Sequence, residues 1–168
     1  SRSLKEALEK NGITGVEVIY NGIDAGEWSL KDEVATYFRT QHGLLGKKIL
    51  FFGGRLSAAK GGAKSVEALR IVVAAVPETV LLVAGAIDDY AHTMREYAKQ
   101  LGVGEHLVFT GWVGRDDIKR AYAAADVVLM PSMYLDAFGR VNIEAMAARK
   151  PVIGTCYGGT PEIVVDGV

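Results

Sequence analysis

What this 168-residue chain has little of limits what it can be before any motif is read. Cys156 is its only cysteine, which excludes an internal disulfide and a cysteine zinc cluster and fits a reducing cytoplasm. As a lone thiol beyond a strand it is expected to be small and buried. Net charge is nearly absent as well: 19 basic residues stand against 20 acidic ones, for a formal charge of −1. No global field draws the chain to nucleic acid or to an anionic membrane, so anion binding has to come from local placement. Long apolar runs are missing too. The longest strongly apolar stretch, Ile71 to Val76, is far too short to cross a bilayer. No repeat, linker or low-complexity tract breaks the sequence. The N-terminal Ser1-Arg2-Ser3-Leu4-Lys5-Glu6 has no signal-peptide character, and both termini read as internal cuts in a longer protein.

What is present is globular. Hydrophobic residues make up 49% and charged residues 23%, and the length suits one domain able to bury a core without staples. Short apolar runs alternate with helical patterns. Ile49–Phe52 closes on Gly53-Gly54, Val80–Ala84 on Gly85, Leu107–Thr110 on Gly111, Val127–Met130 on Pro131 and Val152-Ile153 on Gly154. Each reads as a buried parallel strand. Val16–Tyr20, ahead of Asn21-Gly22, is a sixth expected strand. Between them, Gly62–Val76, Tyr90–Leu101, Asp116–Ala125 and Arg140–Ala148 carry helical spacing, and Pro161–Val165 opens a last helix. The expectation is an α/β domain, a Rossmann-like parallel sheet sandwiched by helices. In such folds the ligand lies beyond the carboxyl ends of the strands.

Two of those ends carry chemistry. After the first core strand comes Gly53-Gly54-Arg55-Leu56-Ser57-Ala58-Ala59-Lys60-Gly61-Gly62. Two cations in a glycine-rich turn that opens a helix suit a diphosphate: glycine admits close approach and the helix start offers N–H groups. The loop is no Walker A sequence, because Gly-Gly follows Lys60, and it lacks the dinucleotide spacing. By itself it is equally a glycine hinge with solvated charges. After the fourth core strand, Asp136 sits where the loop meets a helix start and Glu144 lies within that helix. The free amides of Phe138, Gly139 and Arg140 are expected to face the crevice of the basic loop. A carboxylate at Glu144 suits vicinal hydroxyls; taken alone, Glu144 reads better as a surface helix residue and Asp136 as a cap. Asp88-Asp89 and Asp116-Asp117 begin helices, where capping and dipole complementarity account for them. His42, His92 and His106 show no ligand spacing. Trp112 is a base-stacking candidate, with a core or rim role the alternative.

Taken in order, these motifs resemble the C-terminal domain of the GT-B-fold retaining glycosyltransferases (group 1, family 4 type). That large family contains glycogen and sucrose synthases and many mannosyl- and glucosyltransferases. Asn21-Gly22-Ile23-Asp24, Gly54-Arg55-Leu56 through Lys60-Gly61, Val83-Ala84-Gly85, Val108-Phe109-Thr110-Gly111, Asp126-Val127 through Pro131-Ser132, Phe138-Gly139, Glu144-Ala145-Met146-Ala147, Pro151-Val152-Ile153 and Gly158-Gly159-Thr160-Pro161-Glu162 carry the likeness across nearly the whole chain. The resemblance implies that residues 1–168 form a single nucleotide-sugar-binding domain, with an N-terminal acceptor domain and a C-terminal closing segment absent. It implies a UDP-, GDP- or ADP-sugar as donor substrate, no separate cofactor and no metal. Arg55 and Lys60 would bind the diphosphate, Glu144 the ribose hydroxyls, and the first acid of the Glu-x7-Glu motif the sugar. The remaining donor contacts would come from Gly54, Gly85, Trp112, Val113, Phe138, Gly139 and Arg140. Nucleic acid is not an expected partner, and a membrane surface would be reached only through the absent domain.

Here the first acid is Asp136, which withdraws the carboxylate by one carbon–carbon bond, roughly 1.5 Å. The glutamate usual before the loop lysine is Ala59. A GT-B epimerase, a phosphorylase (disfavoured, since no motif suggests a Schiff-base lysine) and a catalytically silent sugar-nucleotide-binding module are the rival readings.

Overall fold

The computed structural model describes residues 1–134 and 136–167. Five strands, β1 (Lys48–Phe52), β2 (Thr79–Val83), β3 (Leu107–Phe109), β4 (Val127–Met130) and β5 (Val152–Gly154), form one sheet in the order β3-β2-β1-β4-β5. Every neighbouring pair is parallel. Each strand is a short β-branched and aromatic run ended by glycine or proline, and this punctuation made all five legible.

Side chains alternate between the faces, as the period of two requires. Ile49, Phe51, Val80, Leu82 and Val128 face one core with Phe38, Ala121, Tyr122 and Ala145. Phe52, Leu81, Val83 and Leu129 face the other with Val66, Leu69, Met94 and Ala98. Accordingly, α3 (Gly62–Ala75) and α4 (Asp89–Gln100) cover the second face, while α2 (Asp32–Gln41), α5 (Arg115–Ala124) and α6 (Arg140–Ala147) cover the first. Removing a side chain of this size from water stabilises the fold by about 1.5–3 kcal/mol. The alanine run of α5 permits close approach to the sheet: Ala121 and Ala124 are fully buried.

Polar pins complete the frame. The Asp126 carboxylate, just before β4, accepts from the Ile49 amide at 2.7 Å and from Arg39 at 3.0 Å. Arg39 also donates to the carbonyls of Ala124 and Lys47, so one guanidinium joins α2, α5 and the approach to β1. Asp88 caps α4 by accepting from the Ala91 amide at 3.0 Å, as its position led one to expect.

Three expectations need correction. Residues 16–20 form no strand: Ile19 is 87% exposed and the segment pairs with no other among the described residues. Alternation marks a strand's faces but supplies no partner, and the two sheet edges are β3 and β5. The expected last helix shortens to a single 3-10 turn, Thr160–Glu162. Cys156 is exposed rather than buried, because it follows the edge strand β5, which is itself not buried as expected, with Ile153 61% exposed. Two helices went unassigned: α1 (Arg2–Lys10), capped by Ser1 accepting from the Leu4 amide, and α2. No described helix is long and apolar enough to cross a membrane.

Candidate functional site

The chain leaves β3 at one sheet edge and returns at β4, on the far side of β1. The strand order therefore reverses between β1 and β4, the place where open parallel sheets bind ligands. The loops following these two strands are tied together. The Gly53 amide donates to the Leu129 carbonyl at 3.2 Å and the Met133 amide to the Ala59 carbonyl at 2.9 Å. Gly61 has φ +79°, and a Cβ there would strike the Pro131 carbonyl oxygen. Only glycine lets the basic loop lie this close to its neighbour.

At this junction Lys60 meets Asp136. The ammonium donates to Asp136 Oδ2, and the Gly139 amide donates to Oδ1 at 2.9 Å, with the Phe138 amide at 3.4 Å. Ser132 Oγ lies 3.4 Å from Oδ2. Burial opposes ionisation of Asp136, but the hydrogen bond and charge of Lys60 and the two amides outweigh it and hold its carboxyl below the ordinary 3.8. The amides of Phe138 and Gly139 are therefore not free, as the sequence led one to expect; an internal carboxylate already takes them. A cavity of about 340 Å³ adjoins this cluster, lined by Gly54, Lys60, Asp136, Phe138, Gly139 and Arg140 among others.

Arg140 is shared with a second cavity of about 530 Å³, whose wall includes Glu144, Trp28, Glu27, Arg115 and Ile118. Glu144 projects from α6 with its side chain only 16% exposed. Its Oε2 accepts from the Tyr122 hydroxyl at 2.8 Å, and Oε1 lies 3.5 Å from Arg140. At the rim, Glu27 accepts from both Arg115 and Lys119 at 2.9 Å. The hydrogen bond from Lys119 and the nearby charge of Arg115 hold the Glu27 carboxyl below its usual range.

Other expected site residues lie apart. Arg55 is 86% exposed, with Asp88 Oδ2 4.0 Å away, and does not line the Lys60 cavity. Gly85 donates its amide to the Gly111 carbonyl at 3.0 Å, joining the loops after β2 and β3. Trp112 is 80% exposed, so it is no core residue. Val113, by contrast, packs on the core. Sequence reasoning missed Tyr122. The available signal was one large polar ring inside the run Ala121-Tyr122-Ala123-Ala124-Ala125. Among the described residues no group of three or more His, Cys, Asp and Glu side chains could hold a metal ion.

Residues 36–168 match the family described as glycosyl transferases group 1. The chain belongs to this family. Among curated proteins it is 37% identical to an uncharacterized glycosyltransferase of Methanocaldococcus jannaschii, covering 100% of this chain and 45% of that one. It is 34% identical to the putative glycosyltransferase YtcC of Bacillus subtilis, over 88% of this chain and 39% of the relative. The chain thus spans less than half the length of these group 1 relatives. Among solved structures it is similar to Anabaena HepE in complex with UDP and glucose, with TM-score 0.92 and 29% identity. That match covers 100% of this chain and 46% of HepE. The sheet and its helical layers are those of a GT-B glycosyltransferase domain.

Proposed function

We propose that the chain is the donor-binding domain of a retaining, metal-independent glycosyltransferase. The whole protein transfers a hexose-type unit from a nucleoside-diphosphate sugar to an acceptor hydroxyl. The observation that carries this reading is the placement of Lys60, the start of α6 and Glu144 along two cavities that share Arg140 at the strand-order switch. The structural likeness to HepE, solved with UDP and glucose, supports the nucleotide-sugar class.

In this reading the diphosphate takes over the Lys60 ammonium and the amides of Phe138 and Gly139. Arg55, exposed and 4.0 Å from Asp88 Oδ2, swings onto the diphosphate. The ribose hydroxyls donate to Glu144. The base lies beside the loop after β3, where Trp112 and Val113 flank it. Asp136, displaced from Lys60, contacts the transferred sugar. Breaking the glycosidic bond leaves negative charge on the departing phosphate, and fixed cations and amides stabilise that charge without reorganising. The acceptor oxygen forms the new bond, and its proton leaves to the departing phosphate or to a base on a second domain. This chain alone therefore binds donor without turnover, and the acceptor site belongs to that second domain.

Calorimetric titration of the chain with UDP, GDP, ADP and their sugars tests the reading. At least one is expected to bind below millimolar concentration. Lys60→Ala and Arg55→Ala should each weaken the diphosphates about tenfold while sparing the nucleosides, the scale of a lost charge-assisted contact. Equal losses for nucleoside and diphosphate would remove the phosphate role. In the full-length protein, Glu144→Ala should abolish most transfer; unchanged turnover would refute the ribose assignment.

A further inference from the structure

Tyr122 is the largest of the fully buried side chains, at 1% exposure, and its ring is held edge-on between two others. The Phe51 centroid lies 4.9 Å away at 79° and the Trp28 centroid 5.2 Å away at 84°. Such packing fixes both χ angles, so the hydroxyl has one place to be. That place is 2.8 Å from Glu144 Oε2. Gly53 helps to keep it there: a Cβ on Gly53 would come within 3.2 Å of the Tyr122 oxygen and collide with Val141.

We propose that Tyr122 is the positioning residue for the Glu144 carboxylate. Its buried hydroxyl decides which lone pairs face the larger cavity, and thereby the preference for nucleotides that carry ribose hydroxyls. The inference rests on the assignment of Glu144 to the ribose. A glutamate on a helix surface has three rotatable bonds, and fixing them on binding costs up to ~2 kcal/mol. Here the arrangement is made in advance. Tyr122 occupies one side of Oε2, Arg140 stands beside Oε1 at 3.5 Å, and the remaining acceptor directions open on the cavity that Glu144 lines. Burial, then the charge of Glu144, push the phenol far above its ordinary range. That favours the protonated phenol, which donates to the Glu144 carboxylate.

Tyr122→Phe separates positioning from packing, because it keeps the ring between Phe51 and Trp28 and removes only the hydroxyl. The probes are UDP and 2′,3′-dideoxy-UDP, titrated calorimetrically against the chain and its variants. The unsubstituted chain is expected to prefer UDP. In Tyr122→Phe that preference should narrow about tenfold, the scale of one charge-assisted hydrogen bond, with dideoxy affinity unchanged. In a Glu144→Ala background, where the preference is already lost, adding Tyr122→Phe should change UDP binding no further.

A purely structural tyrosine would lower both affinities together and leave their ratio intact, and that result would overturn the proposal. Loss of the preference in Glu144→Ala but not in Tyr122→Phe would overturn the positioning role alone. An unsubstituted chain that binds both nucleotides equally would overturn the ribose assignment of Glu144 and this inference with it.

Discussion

A carboxylate at position 136 is one methylene shorter than the glutamate usual in related motifs, and it takes both a cation and a helix start. Oδ1 accepts the amides of Phe138 and Gly139, while Oδ2 holds Lys60. The folded carboxyl titrates below its ordinary 3.8. Its ionised form therefore stabilises the fold above that pH, and the contribution fades as pH falls through 3.8 towards the lower folded value. Asp136→Asn keeps an acceptor for the amides but loses the ion pair. Lys60 is 42% exposed, so after discounting for solvent screening the pair contributes at most ~1 kcal/mol, or ~2–4 °C in melting temperature. Calorimetry should find Asp136→Asn less stable near neutral pH, and the gap should close below about pH 4. A gap that widened on acidification would contradict the assigned sign. The Lys60–Asp136 pairing was not readable in advance, because the two lie 76 positions apart. Their residue types marked a site, whereas their pairing depends on how β1 and β4 meet.

Among the elements, the five core strands and the four helices α3 to α6 were legible because glycine, proline and, before α4, the capping carboxylate of Asp88 punctuate them. Residues 16–20 were misread for the converse reason: period-two hydrophobicity specifies faces, and pairing needs a free edge. The helix α1 was overlooked although Ser1 caps it and Leu4 and Leu8 share a face. Nine residues are too few to hold a helix by propensity alone. The loop between β1 and α3 depends closely on one residue. Gly61 combines φ +79° with the carbonyl of Pro131 where a side chain would begin. Gly61→Ala is expected to cost about 2 kcal/mol or more, from strain plus backbone displacement. It should also weaken nucleoside-diphosphate binding, since Lys60 precedes it directly. Thermal melting and titration of the same variant check both effects. A melt within 1 °C of the unsubstituted chain, a shift of well under about 0.5 kcal/mol, would show that the loop has room to move.

On the scale of the whole molecule, one side chain near the far end of the chain gathers several groups of the N-terminal segment, beside a Tyr20–Phe138 ring contact at 5.8 Å. Glu162 accepts from the Arg2 and Ser3 amides at 2.8 and 2.9 Å and from the Tyr20 hydroxyl at 2.8 Å. No residue of α1 is buried. Glu162→Ala should therefore loosen α1 while leaving the sheet intact. Hydrogen exchange of the α1 amides is expected to accelerate at least about tenfold, the signature of local opening, and trypsin should cut sooner after Lys10. The melting of the five-stranded body should shift by less than about 2 °C, as befits loss of a peripheral contact. A collapse of the whole melt would show that the segment is integral to the core.

The strand order also has a consequence in time. The sheet neighbours β1 and β4 lie far apart in sequence, with β2 and β3 between them. As the chain leaves a ribosome, the Lys60 loop emerges with no Asp136, no α6 start and no Glu144 to meet it. Loop closure on this scale is slow relative to local helix formation, so the proposed nucleotide site is assembled only after synthesis has passed α6. A nascent chain halted before β4 has the glycine-rich loop and most of the sheet but lacks the α6 half of the proposed site, so under that proposal nucleotide binding becomes a clock for completion of the fold.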